Sequence, residues 1–330
     1  MSRTKKPIQV TTIGGGSGHF ALLSALRDLE GIQIKAVVSM ADSGGSTGRL
    51  RDELGVLPPG DVLKCLVALS KKRRRYRELL MKRFGDSGGS KLKGHSVGNM
   101  LLTFLSEYID DFPAATLAFG ELLETQGEVL PVTTSKIHLV ATLVNGQKIF
   151  GETNIDVAKE KNRAPIKQLR LQSVDDKPIL PYPKAIEAIL GADYIIIGPG
   201  DIYTSIVPNL IVPQVKEALQ KTHAKLVYIV NLMTKKGETD GFSGDDFVNL
   251  IKKYIGRDLD LVIANSTEPD KRILKPYQLE GAELVSVPAS HISDKTQVVA
   301  ADLLSTKGDL ARHDVRKLKK VLRKILGYKS

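Results

Sequence analysis

Apolar residues along this chain alternate between two patterns. Residues 8–13 form a short β-branched run, which predicts a strand, and residues 18–29 space Phe20, Leu22, Leu23 and Leu26 as a helix does. Residues 32–40 return to a strand. Their run IKAVVSM is nearly continuous apolar, as a parallel strand buried on both faces requires. Helical spacing dominates from residue 61 to about 124, and Pro113 suits a helix start, where its missing N–H would have no partner. Residues 129–173 break the rhythm. There, two strand-like runs flank Asn145-Gly146, the strongest short hairpin signal, and IKQLRLQS reads as a further strand. A small antiparallel insertion is expected. Alternation then resumes: ADYIIIGPG, KLVYIVNLM, LDLVIANS and AELVSVPAS each read as a buried strand ending in a polar or glycine-rich loop. The whole predicts one open α/β sheet with helices on both faces, in a single domain over residues 1–330. Such sheets bind ligands beyond the carboxyl ends of their strands.

The loops at those ends carry the candidate chemistry. After the first strand comes GGGSG, with Gly14, Gly15, Gly16, Ser17 and Gly18. A strand that enters a helix through glycines leaves backbone N–H groups unpaired at a positive dipole end, which attracts phosphate. Gly16, Gly18 and Ala21 also fit the G-x-G-x-x-G/A spacing, although an ordinary tight turn would share it. The second strand ends in ADSGGSTGRLRDELGVLPPGD (41–61), read as a long loop. Asp42, Gly44, Gly45 and Arg49 there offer a carboxylate, close backbone approach and a guanidinium for a ribose or phosphate. GHSVGNMLL (94–102) supplies His95 and Asn99 beside a helix start that Ser96 can cap. GPGDIYTSIVPNL (198–210) adds Gly198, Gly200, Thr204, Ser205 and Asn209, and NLMTKKGETDGF (231–242) adds Asn231 and Thr234. Each loop alone could be turn chemistry. Four of them after strands of one sheet point to a shared site.

Composition narrows the field. The 330 residues are 42% hydrophobic, ample for a large core, and hold one cysteine, so neither a disulfide framework nor a cysteine-rich zinc site is available. The first ten residues lack the apolar region of a signal peptide, and no segment reaches the roughly 20 apolar residues that span a bilayer. A cytoplasmic protein without a membrane span is expected. The net charge is +11, much of it in residues 71–77 (KKRRRYR) and 312–329. In the second run Val315, Leu318, Val321, Leu322 and Ile325 form an apolar stripe, so its cations read as a solvated helix face. Aromatic residues do not interleave with them repeatedly, as a base-stacking surface needs, and no nucleic-acid partner is expected.

At these five motifs the chain resembles the CofD-like superfamily and, within it, the gluconeogenesis factor (YvcK-like) family, over almost its whole length. The resemblance implies a Rossmann-like three-layer α/β/α sandwich. One branch is 2-phospho-lactate transferase, which joins a phospholactyl group carried on a guanine nucleotide to a deazaflavin alcohol. The YvcK-like branch is similar to regulators of carbon flux into the cell wall and of cell shape that bind UDP-sugars, and RLRDELGVLPPGD and YTSIVPNL have that branch's form. On this reading a UDP-sugar is the ligand, proteins of cell-wall synthesis are its partners, and a homodimer is the default assembly. The resemblance also places Tyr277 at a ligand contact, and Arg312 is expected to reach a phosphate oxygen because a guanidinium matches phosphate bidentately. No catalytic residue and no metal ligand is assigned.

The chain departs from the family at three places. Ser43 stands where many members have a second acidic residue, which weakens a divalent-cation site because hard cations favour several carboxylates. His19 and Phe20 are unusual after the glycine turn. Arg312, His313 and Asp314 match a family signature whose following threonine is a phosphorylation site in some members; Val315 replaces it here, so no phosphorylation is expected at that position. The lost carboxylate favours a nucleotide-sugar-binding regulator over a phosphoryl or phospholactyl transferase.

Overall fold

The computed structural model describes residues 6–85, 91–158, 163–288, 295–306 and 308–328. The N-terminal five residues and parts of the motif stretches at 85–102 and 282–290 lie outside them. Among the described residues there are ten strands: β1 (Ile8–Gly14), β2 (Ile32–Val38), β3 (Glu128–Pro131), β4 (Ile137–Leu143), β5 (Lys148–Phe150), β6 (Ile166–Ser173), β7 (Tyr194–Ile197), β8 (Lys225–Ile229), β9 (Leu261–Asn265) and β10 (Gln297–Ala301). Seven of them make one parallel sheet in the order β10-β9-β8-β7-β1-β2-β3. The chain lays down β1, β2 and β3 in one direction, then returns to place β7 on the free side of β1 and continues to β10. Thr12 of β1 is thus paired with Ala36 on one side and Ile196 on the other. This reversal opens a crevice between the carboxyl ends of β1 and β7, the place where open α/β sheets take ligands.

The first helices are α1 (Gly16–Leu26), α2 (Gly45–Leu54), α3 (Gly60–Leu69), α4 (Arg73–Leu80), α5 (Val97–Ile109), α6 (Phe112–Leu122) and the short α7 (Glu152–Asp156). The α1 stripe behaves as its spacing requires: Leu22, Leu23 and Leu26 are fully buried. The C-terminal helix Val315–Ile325 buries Leu318 and Leu322 and packs on α1, while Asp314 caps it through the N–H groups of Arg316 and Lys317. Its lysines and arginines line the opposite face. Among the described residues no helix is long and apolar enough to cross a membrane.

Three expectations need correction, and one strand was not foreseen. The 41–61 stretch is not a loop, because Gly45–Leu54 is helical. Arg, Leu and Glu favour a helix there, Leu50 is buried, and Gly55 ends it at φ 65°, with its N–H bonded to the Arg51 carbonyl. β3 joins the parallel sheet beside β2, so the antiparallel part begins at Ile137, not at 129; it is the sheet β5-β4-β6. Residues 282–288 form no strand: they make one bridge, Met233 to Leu284, and Pro288 interrupts any ladder. The last strand is instead β10 (QVVAA), an edge strand whose short apolar run Val298–Ala301 ends in two alanines and stays half-exposed, unlike the buried runs of β7, β8 and β9. The hairpin at Asn145-Gly146 and the strand IKQLRLQS stand as read.

Candidate ligand-binding site

The glycine turn is shaped by contact. Gly15 is extended, Gly16 has φ 65°, and α1 starts there. A Cβ on Gly18 would lie 2.3 Å from the Pro199 carbonyl oxygen, so only glycine lets α1 meet the Gly198-Pro199-Gly200 turn. The two turns therefore lie side by side at one sheet edge; the Gly198 N–H donates to the Ile13 carbonyl at 3.0 Å. The α1 N-terminus already holds one anion. Asp61, at the end of the 41–61 motif, accepts the Gly16 N–H at 3.0 Å and pairs with Lys64 at 2.8 Å. That leaves the N–H groups of Ser17 and Gly18 in the first turn for a ligand.

A cavity of about 1010 Å³ opens over this crevice. Gly15, Gly16, Ser17, Gly18, Gly200, Ser205, Asn231, Thr234, Tyr277 and Arg312 all line it. Asn231 donates to the Gly200 carbonyl at 2.9 Å, and the Tyr277 hydroxyl accepts the Ala311 N–H at 3.2 Å, which ties the ring to the segment that carries Arg312. Cations exceed carboxylates on its walls: Lys64, Arg74, Arg77, Lys235, Lys236 and Arg312 face Glu78, Asp201 and Glu280. His313 also lines it. Burial holds its ring well below its ordinary range, at about 4, so it is neutral near pH 7. A second cavity, of about 600 Å³, lies beside the N-terminal ends of β2 and β3, at the opposite edge of the sheet from the candidate loops.

The remaining sequence-predicted residues lie off this cavity, and most have work within the fold. Gly14 and Gly198 belong to the turns themselves. His95 bonds the Ser46 hydroxyl through Nδ1 at 3.0 Å, and Asn99 donates to the same oxygen at 3.2 Å, so this pair fastens α5 to α2. Ser96 caps α5 as read. Arg49 donates to the Lys93 carbonyl at 2.6 Å. Asn209 is fully buried and its amide donates to the Gly14 and Ser205 carbonyls, at 3.3 and 2.9 Å, bracing the turn from below. Thr204 donates to Asp156 at 3.4 Å.

Asp42, Gly44 and Gly45 stand one layer behind the glycine turn. Asp42 accepts the Gly44 N–H at 2.9 Å, and burial together with the nearby Asp61 carboxylate pushes its carboxyl up. Ser43 does not leave Asp42 a lone carboxylate. Its hydroxyl accepts the Thr153 N–H at 3.1 Å, and Glu152 of α7 brings a carboxylate within 3.4 Å of its N–H. Burial, then Asp42 and Asp156, raise Glu152 to about 7. Among the described residues no group of three His, Cys, Asp or Glu side chains has the arrangement of a metal site.

Sequence reasoning missed a second cluster. Lys235 contacts Asp156 and lies 3.0 Å from both Asp201 and Glu238. Burial alone would lower its ammonium; the carboxylates outweigh this and hold it above its ordinary value. Arg163 donates to the Gly237 and Ile155 carbonyls, each at 2.6 Å, and Arg51 donates to His138 at 2.7 Å. Through these bonds the antiparallel insertion is seated on the strand-end loops. The adjacent lysines in NLMTKKGETDGF were the available signal, but only the fold brings Asp156 and Asp201 to them.

Fold and site together define an open α/β protein with a cationic, glycine-floored cleft at its topological switch point. The chain belongs to the family described as 2-phospho-L-lactate transferase CofD, which matches residues 10–304. It is 37% identical over 324 residues to a Thermotoga maritima protein named "Putative gluconeogenesis factor", covering 96% of this chain and 99% of that protein. It is 35% identical over 332 residues to the gluconeogenesis factor of Listeria innocua, covering 100% and 99%. The crystal structure of protein BH3568 from Bacillus halodurans superimposes with a TM-score of 0.88 at 34% identity, over 96% of this chain and 99% of that one.

Proposed function

We propose that this chain is a cytoplasmic regulator that binds a nucleotide sugar of the UDP-sugar class and, like the gluconeogenesis factors it is similar to, acts on carbon flux. The observation that carries the reading is convergence: the glycine floor, Tyr277 and Arg312 come from distant segments and line one cavity. The diphosphate lies against the N–H groups of Ser17 and Gly18, beside Lys64. Tyr277 offers a face for uracil or the sugar, and Arg312 a guanidinium for a phosphate oxygen. Effects on cell-wall supply and cell shape, through protein partners of cell-wall synthesis, belong to the same reading. A thermal-shift screen of nucleoside diphosphate sugars tests it: UDP-sugars should raise the unfolding midpoint, and no shift with any of them sinks it.

The transferase reading has its support in the family model that matches residues 10–304; Asp42 and Glu152 lie near Asp61, but Asp61 is already held by the Gly16 N–H and Lys64. Magnesium-dependent transfer of phospholactate to a deazaflavin by the purified chain would establish it in place of the binding role.

A further inference from the structure

Helix α5 carries an apolar stripe on its outer side. Leu101, Phe104 and Tyr108 follow at i, i+3 and i+7 and are 43%, 62% and 80% exposed. Phe104 and Tyr108 stack on each other, with centroids 6.3 Å apart and planes at 16°. The helix already buries its inner side, through Leu102 and Thr103, in the fold. A helix that packs its inner face and still shows stacked aromatics to solvent marks an interaction surface.

The ends of the stripe carry opposite charge. The backbone of 82–84 runs beside the turn before α5: the Val97 N–H donates to the Lys82 carbonyl at 3.0 Å and the Phe84 N–H to the His95 carbonyl at 2.9 Å. Lys82, Arg83, Lys91 and Lys93 therefore surround the N-terminal end, all exposed. Glu107, Asp110 and Asp111 are exposed at the C-terminal end.

We infer that this face is an interface between two copies of the chain, with their α5 helices antiparallel about a two-fold axis near Phe104. A two-fold interface must be complementary to itself. An apolar stripe with a cationic end and an anionic end meets that condition only when antiparallel, since a parallel alignment sets like charges together. Phe104 lies next to the midpoint of Val97–Ile109, so it meets its own symmetry mate while Leu101 faces Tyr108 of the second copy. The acidic end of each helix then falls on the basic end of the other. Two aromatic side chains of at most about 150–250 Å² each cannot fill the about 800 Å² per partner of a standard interface. The dimer is therefore weak, reversible and sensitive to salt. The inference is independent of the ligand.

Sedimentation velocity on the full chain, from about 1 to about 200 µM, spans the affinity range of such a contact. The expected result is a monomer–dimer equilibrium inside that range at low salt, displaced toward monomer at high salt. Phe104→Glu combined with Tyr108→Glu should be monomeric throughout with an unchanged unfolding midpoint, because both side chains are exposed. Glu107→Lys and Lys82→Glu should each weaken self-association alone, and an equimolar mixture of the two should restore a dimer. The charge-exchange pair keeps the test decisive if the double glutamate variant folds poorly. A monomer across the whole range, a dimer indifferent to the Phe104 and Tyr108 changes, or a mixture that fails to associate would each overturn the inference.

Discussion

Gly18→Ala is the smallest change that should disturb the site while leaving its chemistry untouched. The added Cβ would lie 2.3 Å from the Pro199 oxygen, 2.6 Å from the Pro199 carbonyl carbon and 3.0 Å from the Gly200 nitrogen. All three are backbone atoms, so no rotamer change relieves the clash. Ordinary contact begins near 3.4 Å, and the two turns must therefore part by about 1 Å, a distance that matters for oriented binding groups. Overpacking of this kind costs about 1–3 kcal/mol, offset by the about 1 kcal/mol that Ala gains over Gly in a helix. Net destabilisation should be about 0–2 kcal/mol. The effect on a bound diphosphate should be larger, because the Ser17 and Gly18 N–H groups move with α1, and charge-assisted bonds contribute about 1.5–3 kcal/mol. Urea unfolding and titration calorimetry with UDP-N-acetylglucosamine separate the two effects. Nearly native stability with binding weakened at least about tenfold supports the reasoning. Affinity equal to wild type would refute it. Gly85→Ala is the control, since a Cβ there meets nothing within 4 Å.

Glu152→Gln should change the pH dependence of stability. A carboxyl raised from 4.5 to about 7 favours the folded state while protonated, so its contribution is lost as pH rises from 4.5 to about 7. The variant should gain on the order of 3 kcal/mol relative to wild type across that window; identical pH profiles would remove Glu152 from the buried acidic group. His19 and His313, both held near 4 by burial, act with the opposite sign below 6.5, but they are common to both proteins and cancel in the comparison. Lys235→Met should destabilise by roughly 2 kcal/mol or more, because Asp156, Asp201 and Glu238 lose their shared cation; denaturant unfolding reads it, and a neutral result would show the cluster to be well solvated. Arg163→Ala should loosen the insertion from the 231–242 loop, seen as faster amide exchange in both segments, whereas unchanged exchange would mean the seat is held elsewhere.

The sheet was legible where strands are buried on both faces. Runs such as YIII of β7 and KLVYI of β8 have no other stable use, and the loops after them pointed to the correct edge. β10 escaped because its run VVAA is short, ends in two small alanines and lies on a half-exposed edge, and α2 because its glycines and hydroxyls mask good helix formers. The glycine floor was readable as spacing, since only glycine tolerates the contact at Gly18. His95, Asn99 and Asn209 show the converse: polar residues in motif loops can be there to hold loops together. Asp61 as the resident anion of α1, Glu152 beside Ser43, and the Lys235 cluster all depend on which distant segments meet, and no local pattern carries that information.

We propose that one cavity at the switch point binds a nucleotide sugar through Arg312. Titration calorimetry of UDP-N-acetylglucosamine and UDP-glucose on wild type and Arg312→Ala tests it most directly. A lost charge-assisted hydrogen bond of about 1.5–3 kcal/mol predicts binding weakened by about 10- to 150-fold, with the unfolding midpoint of the unliganded protein unchanged because the side chain is exposed. Equal affinity in the two proteins would remove Arg312 from the site, and the absence of heat with either ligand on wild type would contradict the claim itself.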